Sequence, residues 1–208
     1  MNKFVTFLFS RTKALCSGLL QKYRNMRCAL YTSRMSRLLG GFGENSIISR
    51  PFYLEGGGGK RVSIGNHTCI SHHSLIGCWV KYRENESFSP TIRIGDNCLI
   101  GAYCQISSIQ NVVIGNGVLT GRFVYIGDNS HGGLSHEEAN IPPQKRKLLS
   151  KGGITIGNNV WIGDKATILG GVTIGDNVII GANSVVTHDV PSNSIAAGAP
   201  AQVIKHLD

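Results

Sequence analysis

The sequence predicts an all-β fold, a solenoid of short parallel strands preceded by an α-helical extension. Three observations predict it: a six-residue aliphatic period, 27 glycines in 208 residues, and a charge asymmetry between residues 1–43 and the rest. Glycine is roughly twice as frequent as its usual ~7%, which indicates many tight turns. Hydrophobic residues make up 41% of the chain, so a core is available and intrinsic disorder is excluded.

Residues 1–43 form the predicted extension, and residues 44–208 form the predicted solenoid domain. The extension holds eight Lys and Arg and no acidic residue, whereas the domain holds thirteen basic and twelve acidic residues. An amphipathic α-helix ended by Gly40-Gly41 is predicted from apolar residues at helical spacing, namely Leu15, Leu19, Tyr23, Met26 and Leu30. Two roles fit this pattern: a cap on the solenoid, or a peripheral contact of residues 1–40 with an anionic membrane.

Composition narrows the class of protein further. The initial apolar run, residues 4–9, is shorter than the ~7–15 residues of a secretory signal or the ~20 of a membrane span, so neither is expected. Nucleic-acid binding is not expected, because the basic residues lie outside the folded domain. The six cysteines include no C-x-x-C pair, which favours free thiols in a reducing, cytoplasmic compartment over disulfides or a zinc ribbon.

The six-residue period runs through the predicted domain. It is unbroken at Ile156, Ile162, Ile168, Ile174, Ile180 and Val186, and shorter runs occupy Ile64, Ile70 and Ile76, Ile94, Ile100 and Ile106, and Ile114, Thr120 and Ile126. This period fits neither an amphipathic helix nor an array of hairpins. It fits a triangular coil of three hexads, with the aliphatic residues inside and Gly and Asn at the corners. The aliphatic residues are therefore predicted to be core.

Two segments interrupt the period, residues 77–91 and residues 132–153. Loops inserted into a solenoid are the usual location of function. His131 immediately precedes the second insertion, and an imidazole can take a proton from a hydroxyl near neutral pH. His131 is therefore a candidate general base. The sequence leaves its orienting partner open among Asn111, Asp128 and Glu137.

The period resembles that of the hexapeptide-repeat left-handed β-helix. The motif Asp128-Asn129-Ser130-His131-Gly132 and residues 154–163, 170–175 and 197–201 resemble the hexapeptide O-acetyltransferases. That group includes maltose and galactoside acetyltransferases and bacterial capsule and O-antigen acetyltransferases. The resemblance implies a homotrimer, acetyl-CoA as co-substrate, and His131 as the base for direct transfer to a sugar hydroxyl of a surface polysaccharide or its precursor.

The same resemblance implies which residues hold CoA. Asp164 and Ala182 would lie beside the pantetheine arm, and the nucleotide end would meet Thr187, His188, Gln202 and Lys205. Relatives commonly have Lys in place of His188 and Arg in place of Gln202, so two fixed positive charges are missing. Lys165 and Lys205 are candidates to compensate. Trp161 is expected to pack near the cofactor, and no metal is expected.

Two alternatives stay open at this point. A metal-dependent enzyme of the γ-carbonic-anhydrase kind is suggested by the pairs His67 with His72 and His131 with His136, although a zinc site needs three convergent ligands. A non-catalytic scaffold that reaches a membrane-bound polysaccharide complex through its basic N-terminal segment is the other.

Overall fold

The computed structural model describes residues 3–133 and 135–207, with side chains from residue 20 onward within those ranges. Helix α1 spans Lys3–Ser36 and helix α2 spans His136–Ala139, with single turns of 3-10 helix at Gly59–Arg61 and Pro143–Lys145. The strands, in chain order, are β1 (Gly41–Phe42), β2 (Ile47–Ile48), β3 (Phe52–Glu55), β4 (Val62–Ile64), β5 (Cys69–Ile70), β6 (Ser74–Cys78), β7 (Lys81–Arg83), β8 (Glu86–Ser87), β9 (Thr91–Ile94), β10 (Leu99–Ile100), β11 (Gln105–Ser108), β12 (Asn111–Ile114), β13 (Leu119–Thr120), β14 (Tyr125–Gly127), β15 (Ser130–His131), β16 (Leu148–Leu149), β17 (Ile154–Ile156), β18 (Trp161–Ile162), β19 (Thr167–Leu169), β20 (Thr173–Ile174), β21 (Ile179–Ile180), β22 (Val185–Val186), β23 (Ser194–Gly198) and β24 (Ala201–His206).

Three sheets form the walls of a prism. Sheet I has the order β1-β4-β9-β12-β17-β20, sheet II the order β2-β5-β10-β13-β18-β21-β23-β24, and sheet III the order β3-β6-β11-β14-β19-β22. Neighbouring strands are parallel, apart from the closing antiparallel pair of β23 with β24. Because the chain visits sheets I, II and III in turn, it forms a β-helix. The predicted all-β solenoid is therefore confirmed.

The predicted aliphatic positions fill the inside of the prism. Ile156, Ile162, Ile168, Ile174, Ile180 and Val186 are each 1% exposed or less. The parallel register stacks equivalent residues, so that Ile114 pairs with Ile94 on one side and Ile156 on the other. Burying one such side chain stabilises a fold by ~1.5–3 kcal/mol. The period thus supplies one interior residue for each wall of each coil.

Residues with positive φ recur from coil to coil at two of the three corners, and at the III/I corner they include Gly56, Gly57 and Gly171. At the I/II corner these are mostly Asn or Gly, namely Asn45, His67, Asn97, Gly117, Asn159, Asn177 and Asn193. At the II/III corner they are His73, Tyr103, Phe123, Lys165 and Asn183. A left-handed backbone costs a bulky residue ~1–2 kcal/mol. Stacking offsets part of that cost, since the rings of His73 and Tyr103 lie 4.6 Å apart and those of Tyr103 and Phe123 lie 4.8 Å apart.

The end of helix α1 packs on the first coil. The Tyr31 hydroxyl donates to the Phe52 carbonyl and accepts from the Phe52 N–H, at 3.2 and 2.9 Å. Thr32 Oγ1 makes the same pair of bonds with Ile48. These bonds occupy backbone groups of the two edge strands β2 and β3, which would otherwise stay open. The last turns of α1 therefore cap the solenoid.

One difference from the sequence-based expectation concerns this end of the molecule. The first strand begins at Gly41, inside the segment assigned to the extension, because Gly41 and Phe42 pair with Ser63 and Ile64 of β4. A Cβ on Gly43 would collide with the backbone of Gly65, so glycine lets the chain lie close to the next coil there. Apolar residues of α1 stay more than half exposed, namely Leu20, Tyr23, Met26 and Leu30. Over the part of the chain described, no helix is both long and apolar enough to span a membrane.

Candidate functional site

Both insertions leave the solenoid at the III/I corner. The first follows β6 and contains the hairpin of β7 with β8, and the second follows β14. Strand β11 lies between β6 and β14, so the insertions are two coils apart, about 10 Å at the ~4.8 Å spacing of strands. The chain turns tightly at Ile109 and Gln110 on the coil between them. Two interruptions 40 residues apart in sequence are therefore neighbours in space.

Asp128 anchors the base of the second insertion. Its carboxylate is 1% exposed and accepts hydrogen bonds from Ser108 Oγ at 2.6 Å, Ile109 N at 2.8 Å and Gln110 N at 3.0 Å. These donors belong to the tight corner one coil away. Burial, together with the nearby Asp128 charge, raises the pKa of Tyr125. The sequence had left open whether Asp128 orients His131. In the structure its carboxylate is bound by the scaffold instead and does not contact the imidazole.

His131 lies on a short two-stranded ribbon at the mouth of the second insertion. Strand β15 pairs antiparallel with β16, with His131 opposite Leu148. The side chain is exposed, and the ring of Tyr82 from the first insertion meets it edge-on, with ring centroids 5.6 Å apart. Among the side chains described, none hydrogen-bonds to the imidazole, and this includes Asn111, Asp128 and Glu137. The contact described for the imidazole ring is therefore aromatic.

A cavity of about 510 Å³ opens beside His131. Ser130, Gly132, Gly133 and Leu149 of the second insertion line one part of it, and Leu169, Gly170 and Thr187 of two further coils line another. Its volume falls in the ~300–1,000 Å³ range of small-molecule sites. Arg146 and Lys151 add positive charge to its wall, which favours an anionic ligand. Neither residue was named as a candidate from the sequence, because only the fold of the second insertion brings them to the cavity.

The residues expected to bind CoA fall into separate groups. Thr187 lines the His131 cavity, and its hydroxyl is 2.8 Å from Nδ1 of His188. A second group, Asp164, Lys165 and Ala182, lies at the II/III corner, on the far edge of sheet III. There, Asp164 accepts a hydrogen bond from the Arg122 N–H. A third group lies on sheet II, where Trp161 is on β18 and Gln202 and Lys205 are on β24. One chain alone does not bring these groups together.

Sheet II carries an apolar strip on its outer face. The parallel register aligns Ile47, Cys69, Leu99, Leu119, Trp161, Ile179 and Ile195 along it. Trp161 is 52% exposed, and Leu99 and Leu119 are exposed by more than 40%. The outer face of sheet I differs, since its corresponding row runs through Ser63, Arg93, Val113, Thr155 and Thr173. A continuous exposed apolar strip marks an interaction surface.

The thiols and the histidines are dispersed. Cys28, Cys69, Cys78, Cys98 and Cys104 are free. Burial raises the pKa of Cys78 to about 11, and it also raises the pKa of Cys98 and of Cys104, so none of these three is an activated nucleophile. No three His, Cys, Asp or Glu side chains converge within residues 20–133 and 135–207. His67 and His72 lie at different corners.

Coils of three six-residue repeats, with His131 at the mouth of an insertion and a cavity beside it, describe a β-helix built of hexapeptide repeats. A family profile described as "Bacterial transferase hexapeptide (six repeats)" matches residues 153–188, and a second, "Hexapeptide repeat of succinyl-transferase", matches residues 91–120. These matches confirm the predicted hexapeptide repeats. Relatives that are named O-acetyltransferases support the rest of the predicted resemblance.

Two curated relatives come from Escherichia coli K12. The chain is 42% identical over 118 residues to the putative lipopolysaccharide biosynthesis O-acetyl transferase WbbJ, covering 55% of this chain and 60% of the relative. It is 39% identical over 130 residues to galactoside O-acetyltransferase, covering 62% and 61%. The matched region thus spans about three fifths of each relative's length.

Among solved structures, the chain resembles the hexapeptide-repeat acetyltransferase VCA0836 of Vibrio cholerae, a complex with acetyl-coenzyme A. The TM-score is 0.54 at 27% identity, over 86% of this chain and 78% of the other.

Proposed function

We propose that the protein is an acetyltransferase with a left-handed β-helix that moves the acetyl group of acetyl-CoA to a sugar hydroxyl. The observation that carries the proposal is the position of His131. It is exposed on a ribbon beside the cavity of about 510 Å³ and stands in a motif that resembles that of the O-acetyltransferases. The similarity to two proteins named O-acetyltransferases, and to a third in complex with acetyl-coenzyme A, supports the reaction and the donor.

In the proposed reaction, His131 removes the proton from the acceptor hydroxyl. The hydroxyl oxygen then forms a bond with the thioester carbonyl carbon, which gives a tetrahedral oxyanion. Collapse of this intermediate breaks the carbon–sulfur bond, releases the acetyl ester and expels the CoA thiolate. The imidazolium returns its proton to that thiolate, so the histidine is regenerated. Arg146 and Lys151 supply charge for an anionic group of either substrate.

We further propose that the active assembly is a homotrimer. The residues expected to hold CoA at the II/III corner, Asp164, Lys165 and Ala182, are separated from His131 by the width of sheet III. A site that contains both His131 and these CoA-binding residues forms only where the II/III corner of one copy meets the III/I corner of the next. The apolar strip on sheet II supplies a surface for that contact, and three copies close a cyclic assembly. Gln202, Lys205 and His188 are then proposed to approach the nucleotide end.

The proposed acceptor is a surface polysaccharide or its lipid-linked precursor. The relative named for lipopolysaccharide biosynthesis supports this class. The exposed Leu20, Tyr23 and Met26 of α1, among basic residues and without an acidic one, support a peripheral contact with an anionic membrane at its cytoplasmic face. Co-sedimentation of the protein with anionic but not neutral vesicles checks that contact.

The test of the proposed reaction is release of CoA from acetyl-CoA across sugars, nucleotide sugars and lipid-linked glycans. It compares the wild-type chain with His131→Ala. We expect acceptor-dependent release that falls ~10²–10⁴-fold in the variant, since a positioned base contributes about that much. Melting temperature and sedimentation as a trimer should stay unchanged. A folded protein that binds no CoA would contradict the proposal.

A further inference from the structure

We propose that the hairpin of β7 with β8 positions the imidazole of His131, through Tyr82, Arg83 and Glu86. The proposal rests on the proposed function of His131 as the general base. It makes the first insertion a part of the active site although this insertion does not line the cavity. The three residues are positioning residues, because they act on the base and its ribbon rather than on a substrate.

The first contact is a series of aromatic rings. The Tyr82 ring meets His131 edge-on, and the Trp79 ring meets Tyr82 with centroids 6.0 Å apart at 81°. The Arg83 guanidinium lies 5.3 Å from the centre of the Tyr82 ring. Tyr82 is thus held from two sides. Edge-to-face pairs of this kind contribute ~0.5–1.5 kcal/mol beyond their burial and fix the relative orientation of the rings.

The Ser107 hydroxyl connects both ends of this series of rings to the scaffold. Trp79 Nε1 donates to Ser107 Oγ at 3.2 Å, and Asn129 Nδ2 donates to the same oxygen at 3.0 Å. Ser107 is buried in β11, on the coil between the two insertions. Asn129 is two residues before His131. The beginning of the first insertion and the beginning of the second therefore share one fixed point.

The second contact is a polar clasp on the strand opposite His131. Glu86 accepts a hydrogen bond from the Leu148 N–H at 3.1 Å, and Leu148 is the residue paired with His131. Arg83 donates to the Lys145 carbonyl at 2.7 Å and lies 3.6 Å from the Glu86 carboxylate. The Glu86 side chain is 12% exposed. Among all the described side chains, Arg83 and Glu86 form the only ion pair. The pair lies within the first insertion, and each of its members hydrogen-bonds to the backbone of the second.

The clasp and the aromatic series address a specific weakness of the site. His131 is exposed, stands on a two-residue strand, and has no hydrogen bond from any described side chain to fix its ring. A displacement of about 1 Å in a reacting group costs on the order of 10²-fold in rate. The hairpin restrains the ring through Tyr82 and the backbone through Glu86, and both imidazole nitrogens stay available for proton transfer.

The experiment uses four full-length variants. Tyr82→Leu removes the ring, Tyr82→Phe keeps it, and Glu86→Ala removes the clasp. Glu84→Ala is the matched control, an exposed carboxylate on the same hairpin. Each protein carries histidine labelled with ¹³C at Cε1, and His131→Ala assigns the resonance among the seven histidines. Turnover is measured beside the spectra, and circular dichroism verifies that each variant folds.

We expect Tyr82→Leu to shift the His131 resonance, because the ring current of Tyr82 is lost, and to lower kcat by about 10-fold or more at an unchanged KM for acetyl-CoA. Glu86→Ala should broaden the resonance and lower kcat similarly. Tyr82→Phe and Glu84→Ala should match the wild type.

A His131 resonance that neither shifts in Tyr82→Leu nor broadens in Glu86→Ala would overturn the proposal, and so would a changed resonance with unchanged kcat. If the wild-type protein shows no transfer at all, the proposed function fails, and with it the catalytic meaning of the clasp. The spectra alone then still decide whether the contact exists.

Discussion

The regular coils and the III/I corner of this molecule are held together in different ways. In the coils of residues 154–186, each interior aliphatic residue repeats the contacts of its equivalents above and below. At the III/I corner, each contact occurs once: the Asp128 carboxylate holds the tight turn, Arg83 and Glu86 of the first insertion hydrogen-bond to the backbone of the second, and the Tyr82 ring faces His131. Stability is thus spread over many equivalent residues, whereas the candidate site depends on a few that have no substitute.

The largest effect on stability is expected in the regular coils. Ile162→Ala deletes most of a side chain that is fully buried, and core substitutions of this kind cost ~2–5 kcal/mol. Denaturant unfolding measures the loss, with Val113→Ala on the outer face of sheet I as the control, expected at about 0.5–1 kcal/mol. Turnover per folded molecule should stay at the wild-type value. A loss of kcat in folded Ile162→Ala would break the distinction between the two regions.

A smaller effect on stability, now coupled to activity, is expected from Asp128→Ala. The change leaves the Ser108 hydroxyl and the N–H groups of Ile109 and Gln110 without their acceptor. A buried donor left unpaired costs roughly 1–3 kcal/mol. Water that enters the space left by the carboxylate reduces the total loss over the three donors. Because Asp128 also anchors the start of the His131 ribbon, kcat should fall together with the melting temperature. Calorimetry and turnover on the same sample test this, and unchanged kcat would show that the ribbon needs no anchor.

The smallest effect concerns Cys78, at the end of β6. Burial raises its pKa to about 11, with Arg61 opposing and Asp128 adding to the shift. The unfolded chain therefore loses this proton near pH 9, while the folded chain keeps it until about pH 11. The contribution of the protonated Cys78 thiol to the free energy of unfolding is complete below pH 9, and it is lost as the pH rises to about 11. Cys78→Ala should flatten the decline of unfolding free energy over this interval, relative to its own value at pH 7, and parallel curves for the two proteins would contradict the assignment.

The sequence was most informative where the structure repeats. Ile64, Ile94 and Ile156 reveal the prism because a period reports local geometry, and it is the same geometry in each coil. His131 was found through its motif and its position before an insertion. The role of Asp128 was left open by the sequence, because its hydrogen-bond donors lie 18 to 20 residues away on another coil. Tyr82 and Glu86 carried no signal, since they meet the second insertion only through an irregular hairpin some 50 to 60 residues earlier.

The number of coils between the two insertions sets the distance between them in steps of one strand spacing. Strand β11 and the turn at Ile109 and Gln110 form the single level that separates β6 from β14. A solenoid of this kind can lengthen or shorten by whole coils beyond Val186 or before β3 and leave the III/I corner unaltered. One coil added between β6 and β14 would move Tyr82 away from His131 by one strand spacing, ~4.8 Å, and would part Glu86 from Leu148. The number of coils between β6 and β14 therefore fixes the distance between the two insertions, whereas the number of coils elsewhere in the prism is free to vary.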